Sequence, residues 1–180
     1  MLLRTKLICT TVILSMILGF ALPAKAKAPV FQAGAARVDA TPQHLPVIVN
    51  GSMLERLVEE VNDPLYVRAV VMDDGETKIA MVLVDSCMLP RDLLDKAKEM
   101  ASSQTGIPKT NILVSATHCH SAPSVISVLG SSTDERYVAF LPGRIAKAIE
   151  QAVENLQPAQ IGFAMGRDEV NVATRRWLMK

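Results

Sequence analysis

The sequence predicts an α/β fold, in which a mixed sheet with a β-hairpin is covered by two helices. Short runs rich in Val and Ile recur along the chain, and two amphipathic stretches separate the later runs. A Gly-containing loop joins an earlier pair of runs. Because 49% of the 180 residues are apolar, the chain has enough material for a packed core, which argues against a disordered protein.

The first predicted elements are strands. Phe31–Ala40 (FQAGAARVDA) is predicted to be an irregular first strand. Residues 43–64 are rich in turn formers and are predicted to be a long loop with a short helical piece around Leu54–Val61. Tyr66–Met72 and Lys78–Val84 are β-rich, and the short Gly-containing connection between them is typical of a hairpin.

Helices and strands alternate after the hairpin. A helix is predicted from Pro90 to about Ser103, and Asn111–Thr117 follows as a strand apolar enough to be buried on both faces. A second helix runs from about Asp134 to Asn155, with a kink at Pro142-Gly143, and Ala159–Met165 is predicted to be the final strand. The chain ends at ArgArgTrpLeuMetLys without a turn or polar cap, which indicates a structure cut off before it is finished.

Residues 1–28 have the composition of a Sec-type signal peptide. The positively charged MLLRTK precedes an uncharged apolar run, and PAKAKA then offers small residues at A-x-A spacing, with cleavage expected after Ala26 or Ala28. The alternative is an uncleaved anchor helix, although the apolar run is shorter than the roughly 20 residues that span a bilayer. Either way, residues 29–180 are expected to be exported, to the periplasm or outside the cell.

Charge and cysteine content narrow the class of protein. The net charge is +1 and aromatic residues make up 4%, without a basic stripe, so nucleic acid is not expected as a partner. Cys9 lies in the predicted leader, which leaves Cys87 and Cys119. Both are expected on apolar strands as small buried side chains, rather than as a disulfide scaffold or zinc knuckle.

Two of the three histidines stand one residue apart in SATHCHSAP, at the end of an apolar run. If the strand continues through His118 and His120, their side chains point the same way, about 6–7 Å apart at the Cα, while Cys119 faces the other side. The pair then suits two metal ligands, or one ligand beside a hydrogen-bonding partner. The alternative is two polar rings that cap a strand and bond to loop backbone, and the spacing alone leaves both interpretations open.

Further candidates are few. A catalytic zinc normally takes three protein ligands and keeps an open position. The remaining histidine, His44, lies in a Pro-flanked loop and is expected at the surface. Asp39 and Asp85 are carboxylates that can contribute, and Asp85 either orients an imidazole or simply ends its strand. Ser121 is interpreted as a turn residue, and the sequence has no nucleophile elbow, Walker loop, GxGxxG or HExxH motif.

The segment ILVSATHCHSAPSV resembles the T-H-T-H-S-G-P motif of the neutral/alkaline (non-lysosomal) ceramidases. AGAARVDATP resembles the opening of that family, YVRAVVMDDG and IAMVLVDSCML resemble two of its strands, and NVATRR stands where the family has an Asn-containing stretch before Arg-Ser-Pro. The resemblance spans residues 31–176, and HxHSxP is its specific part. The chain departs from the family at Cys119, Ala122 and Trp177, where the family has Thr, Gly and Ser.

This resemblance implies a zinc amidohydrolase that cleaves N-acylsphingosine (ceramide) into a fatty acid and a sphingoid base. The family's zinc is held by two histidines, a glutamate and a tyrosine. His118 matches the first histidine ligand, His120 matches an active-site hydrogen-bonding residue, and Arg176 matches an arginine that lines the site. The implied substrate is a ceramide-like lipid, and contact with a membrane surface is a further expectation.

The other zinc ligands come later in the longer members of the family. The resemblance therefore implies that residues 29–180 are the incomplete N-terminal part of a larger catalytic domain, inactive alone or active only with the remainder. Two other functions stay open. The chain can belong to an exported hydrolase of the same fold with another amide or ester substrate, or it can be a complete non-catalytic module that binds a metal or a lipid head group.

Overall fold

The computed structural model describes residues 30–170, and it confirms an α/β fold with a mixed sheet. The predicted leader and Arg176 lie outside this range. The main sheet has five strands in the order β6-β5-β4-β1-β7, and a separate hairpin pairs β2 with β3. In chain order the strands are β1 (Gln32–Asp39), β2 (Val47–Val49), β3 (Arg56–Val58), β4 (Tyr66–Asp73), β5 (Lys78–Val84), β6 (Ile112–Ala116) and β7 (Gln157–Pro158).

Two helices complete the fold: α1 (Arg91–Thr105) and α2 (Glu135–Glu154). Pro90 precedes α1, and Gly106 ends it in a left-handed conformation with its N–H bonded to the Ser102 carbonyl. At the start of α2, the Asp134 carboxylate accepts a hydrogen bond from the Tyr137 N–H. Both helices match their predicted bounds to within two residues, and α2 runs on through Pro142. No helix within residues 30–170 combines the length and apolar character needed to cross a bilayer.

The predicted hairpin is confirmed and consists of β4 and β5. Its strands are antiparallel, and its turn is held by the Asp74 carboxylate, which accepts the Glu76 and Thr77 N–H groups. Gly75 takes the positive φ (92°) that the turn requires. β5 then pairs with β6 in parallel, from Ala80 opposite Ile112 to Val84 opposite Ala116. The connection through α1 is therefore a β–α–β crossover.

The hydrophobic core lies between one face of the sheet and the two helices. Alternate residues of β4 and β5 point into it, and they meet the apolar stripe of α2. The main contributors are Val67, Val71, Val82 and Val84 from the sheet, Leu93 and Ala97 from α1, and Leu141, Ile145 and Ile149 from α2. Tyr137 is also fully buried, and its hydroxyl donates to the Ala40 carbonyl at 2.8 Å.

Among residues 30–170, the opposite face of the sheet is partly exposed, which corrects the prediction for β6. Asn111–Thr117 was expected to be buried on both faces, but Leu113 is 58% exposed. In the sheet formed by residues 30–170, β6 is an edge strand, and only its residues Ile112 and Val114 are buried, on the side of the two helices. Met81 and Leu83 of β5 share the exposed face.

Two further predictions were wrong. The helical piece around Leu54–Val61 is instead part of a hairpin, because Val47 pairs with Val58 and Val49 with Arg56. So short a helix is marginal without tertiary contacts, whereas strand pairing satisfies its backbone groups. The final strand was expected at Ala159–Met165, but the last strand of the described residues is β7, which has two residues and ends at Pro158. Pro158 already pairs with Gln32 in an antiparallel register, so each later residue would pair beyond the start of β1.

Gly34 of β1 is expected not to tolerate a side chain, because the backbone at the C-terminal end of α2 packs against it. A Cβ atom at this position would lie 2.1 Å from the Ala152 carbonyl oxygen. We expect Gly34→Ala to lower the free energy of unfolding by roughly 1–3 kcal/mol, measured by urea denaturation. Gly162→Ala is the control, because a Cβ there meets nothing within 4 Å. Equal denaturation midpoints for the two variants would contradict this close packing.

Candidate metal centre

The candidate site lies at the carboxyl ends of β5 and β6. Parallel strands bring their carboxyl ends to one edge of a sheet, which is where ligand sites of α/β proteins form. The Thr117 N–H bonds to the Val84 carbonyl at 2.9 Å, which extends the pairing past both strands. The bend that carries Cys87 follows β5, and the turn that carries His118 and His120 follows β6.

The side chains of His118 and His120 lie close together, but not because they share one face of a strand, as was predicted. β6 ends at Ala116, and His118 has a left-handed backbone conformation with φ 62°. The chain therefore turns at His118 instead of continuing as a strand. The two Nε2 atoms of His118 and His120 lie 3.3 Å apart, with ring planes at 79° to each other. Cys119, expected on a strand, is half-buried within this turn.

The orientation of the His118 ring is fixed by Cys87. His118 Nδ1 lies 2.7 Å from the Cys87 carbonyl oxygen. A carbonyl only accepts hydrogen bonds, so Nδ1 carries the proton and donates it. Nε2 of His118 is then an acceptor, and its lone pair faces Nε2 of His120 at 3.3 Å. Metal-binding histidines are typically held in this way, with the second ring nitrogen bonded to a carbonyl or carboxylate.

The Cys87 side chain also belongs to the site. Its Sγ lies 3.9 Å from His118 Nδ1, and burial raises the pKa of the thiol. Cys87, His118 and His120 each offer a donor atom, and these atoms lie within 4.8 Å of one another. Among residues 30–170, no other three His, Cys, Asp or Glu side chains come together in this way. Sequence reasoning missed Cys87 as a site residue, and the only available signal was its place just after a strand beside the His-bearing one.

The β2–β3 hairpin holds His120 in place. Gly51 lies against the His120 side chain so closely that a Cβ on Gly51 would be 2.3 Å from the His120 Cβ. Arg56 of β3 donates from its guanidinium to the His120 carbonyl at 2.9 Å. The sequence placed Gly51 in a loop and gave no role to Arg56. Both residues position the second histidine.

Asn50 anchors the chain that follows the histidines. Its side chain is fully buried, and its amide donates to Ser124 Oγ at 2.8 Å and to the Ile126 carbonyl at 3.3 Å. Its backbone N–H bonds to the Ala122 carbonyl. The turn with the histidines is therefore fixed on one side by β6 and on the other by Asn50.

The remaining sequence candidates lie elsewhere. His44 is partly buried, and its Nε2 lies 3.1 Å from an Asp134 carboxylate oxygen at the start of α2. Asp85 accepts the Tyr66 N–H and pairs with Arg68 at 2.9 Å, so it ends its strand and does not orient an imidazole. Asp39 accepts the Thr41 N–H. Ser121 lies in a turn, as predicted.

A pocket of about 320 Å³ is lined in part by Ser121, the residue after His120. Arg56, which donates to the His120 carbonyl, also lines it. Much of the remaining wall is apolar and comes from the hairpin and the chain around it, including Val47, Val49 and Val58.

The fold and this site define an α/β protein with a histidine-based candidate metal centre at the ends of two parallel strands. No family model matches the sequence. The fold is similar to part of the fold of neutral ceramidase. The crystal structure of neutral ceramidase from Pseudomonas aeruginosa superposes with a TM-score of 0.65 at 21% identity, over 73% of this chain and 23% of that one. A ceramidase complexed with C2 gives 0.63 at 21% identity, over 72% and 22%.

These comparisons confirm the resemblance at the level of the fold. The chain spans less than a quarter of the length of the two ceramidase structures. The assignments of His118, His120 and Arg176 stay predictions.

Gly51 is expected to control metal binding through His120. Gly51→Ala both strains a backbone at φ 95° and displaces the imidazole, so we expect zinc affinity to fall about 10-fold or more, measured by calorimetric titration. Gly106→Ala is the control, because Gly106 also has a positive φ (74°) but nothing within 4 Å of a new Cβ. If the two variants bind zinc equally, the contact with Gly51 does not position His120.

Proposed function

We propose that residues 29–180 are the N-terminal section of an exported zinc-dependent amide hydrolase, which cleaves a ceramide-like lipid into a fatty acid and a sphingoid base. The observation that carries the proposal is the pair of facing Nε2 atoms of His118 and His120, 3.3 Å apart, in a fold that is similar to neutral ceramidase over 73% of the chain. The Sec-type leader supports export of the protein.

The donor atoms of the two histidines fit a zinc ion. Imidazole nitrogens bind zinc at about 2.0–2.1 Å, and two such ligands in a tetrahedral site lie about 3.3 Å apart. This equals the distance between the two Nε2 atoms. The proton on His118 Nδ1 is bonded to the Cys87 carbonyl, so the Nε2 lone pair is available. The family's second histidine, glutamate and tyrosine ligands are proposed to lie outside residues 30–170, and His120 lies beside the zinc as a ligand or as a hydrogen-bonding partner.

Zinc at this site would supply Lewis-acid polarisation of the amide carbonyl and a water of lowered pKa. The chain's own residues provide the positioning. His118 is held by Cys87, and His120 is held by Gly51 and Arg56 beside the apolar pocket. We propose that the pocket takes an apolar part of the lipid, because Val47, Val49 and Val58 line it. In this proposal Arg176 also lines the site.

A second candidate function is a metal-binding module without catalysis. The observation that favours it is the group formed by Cys87, His118 and His120, in which three donor atoms already lie within 4.8 Å of one another. A hydrolase of the same fold with another amide or ester substrate is tested by the same assays.

Zinc binding is expected to depend on the paired histidines and not on the third. We expect His118→Ala to weaken zinc binding about 100-fold, His120→Ala to weaken it less, and His44→Ala to leave it unchanged, in titrations followed by metal analysis. His44 is the matched control, because it bonds to Asp134, away from the metal centre. Zinc at background level in the unsubstituted whole gene product, which carries the remaining ligands, would contradict the proposal.

A hydrolysis assay identifies the substrate class. The reading frame of the gene is sequenced past Lys180, and its whole product is assayed with a labelled short-chain N-acylsphingosine and with amide and ester analogues. Release of the fatty acid, lost in His118→Ala and kept in His44→Ala, supports the ceramidase-like function. Preference for another amide or ester supports the related hydrolase. A stop codon after Lys180, with zinc bound and no turnover, supports the module.

A further inference from the structure

We propose that Cys87 is a third metal ligand, so that Cys87, His118 and His120 form a thiolate–imidazole site for a thiophilic divalent cation such as zinc. This inference rests on the proposed function for the role of His118 and His120. It adds a sulfur donor to that site, which the ceramidase resemblance does not include. These three donors all lie within residues 30–170.

Cys87 is placed for this role by its own backbone. It lies on the bend after β5 and is buried, while His118 and His120 are exposed to solvent. The carbonyl of Cys87 holds the His118 ring, and the Sγ atom of the same residue lies 3.9 Å from that ring. The bend is itself fixed, because the buried Ser86 hydroxyl donates to the Met88 carbonyl at 2.8 Å. A cation that arrives from solvent therefore meets the exposed imidazoles, and the buried thiol of Cys87 lies close to them.

The spacing of the two imidazoles is close to that of a tetrahedral zinc site. With Zn–N at about 2.05 Å and Zn–S at about 2.3 Å, two nitrogens lie about 3.3 Å apart, and sulfur lies about 3.6 Å from each nitrogen. The Nε2–Nε2 distance of His118 and His120 is 3.3 Å, and the three donor atoms lie within 4.8 Å. The imidazoles therefore already have the required spacing, and the sulfur lies near enough to move into the ligand set.

The chemistry of the three donors selects the cation. Binding replaces the S–H proton of Cys87 with a metal–sulfur bond and releases one proton to solvent. Within residues 30–170 these three donors leave a coordination position that a water molecule or one of the proposed further ligands would fill. A thiolate favours zinc, cobalt or cadmium over magnesium and manganese, which prefer oxygen ligands.

Cobalt substitution tests the sulfur ligand directly. A cobalt–thiolate bond gives an intense near-ultraviolet charge-transfer band, which imidazole ligands alone do not give. Titration of the full chain with Co²⁺ is expected to produce this band, and Cys87→Ser is expected to abolish it. Cys119→Ser is the matched control, because Cys119 lies between the two histidines and is also a free thiol. Zinc affinity should fall about 100-fold in Cys87→Ser and stay within about twofold in Cys119→Ser.

A second measurement needs no substitution, in case Cys87→Ser does not fold. The full chain is alkylated with and without zinc, and peptide mass spectrometry follows each cysteine separately. Zinc is expected to slow alkylation of Cys87 at least about tenfold, to leave Cys119 unchanged, and to lose its effect when a chelator is added. Equal alkylation of Cys87 with and without zinc would overturn the proposal, as would cobalt binding without the charge-transfer band.

The outcomes separate this inference from the proposed function. A cobalt–thiolate band in a protein whose whole gene product hydrolyses no amide supports the Cys87 ligand and rejects the hydrolase. Zinc binding that requires His118 but is unchanged in Cys87→Ser rejects the Cys87 ligand and leaves the proposed function standing.

Discussion

The parallel pairing of β5 with β6 is the interaction on which the candidate metal centre depends. Five residue pairs, from Ala80–Ile112 to Val84–Ala116, set the register, and the Thr117 N–H extends it to the Val84 carbonyl. Cys87 and His118 are 31 residues apart in sequence, yet each follows its strand by two or three residues. A slip of two residues in this register would move one partner by about 7 Å and separate them.

The second support comes from outside the main sheet. The β2–β3 hairpin reaches His120 through Gly51 and Arg56, and it reaches the following chain through Asn50. β6 fixes the start of the histidine turn, whereas the hairpin fixes its end. The distance between the two imidazoles is therefore set by two independent pieces of structure, and one face of the apolar pocket is built from the same hairpin.

Apolar periodicity was sufficient to predict the long elements, because β4, β5, α1 and α2 each bury a regular stripe against one core. It failed for β2 and β3, since three-residue strands are too short to show alternation. The histidine pair was predicted from its spacing, but the positive φ of His118 was not predicted. Cys87 can be recognised as a site residue only when it is known that β5 and β6 are neighbours. The role of Asp85 is shown by its ion pair with Arg68 on the adjacent strand. Both depend on pairing, which local sequence does not encode.

The left-handed backbone of His118 has a consequence for tolerated sequence variation. This conformation costs a residue with a Cβ about 1–2 kcal/mol, and β-branched residues fit it worst. Apart from glycine, Asn, Asp and His adopt it most readily. Glycine and asparagine would relax the turn but remove the imidazole, whereas aspartate would keep a metal-binding atom. Position 118 therefore has two requirements, a backbone that tolerates positive φ and a side chain with a nitrogen or oxygen that can bind a metal. Few residue types other than histidine meet both.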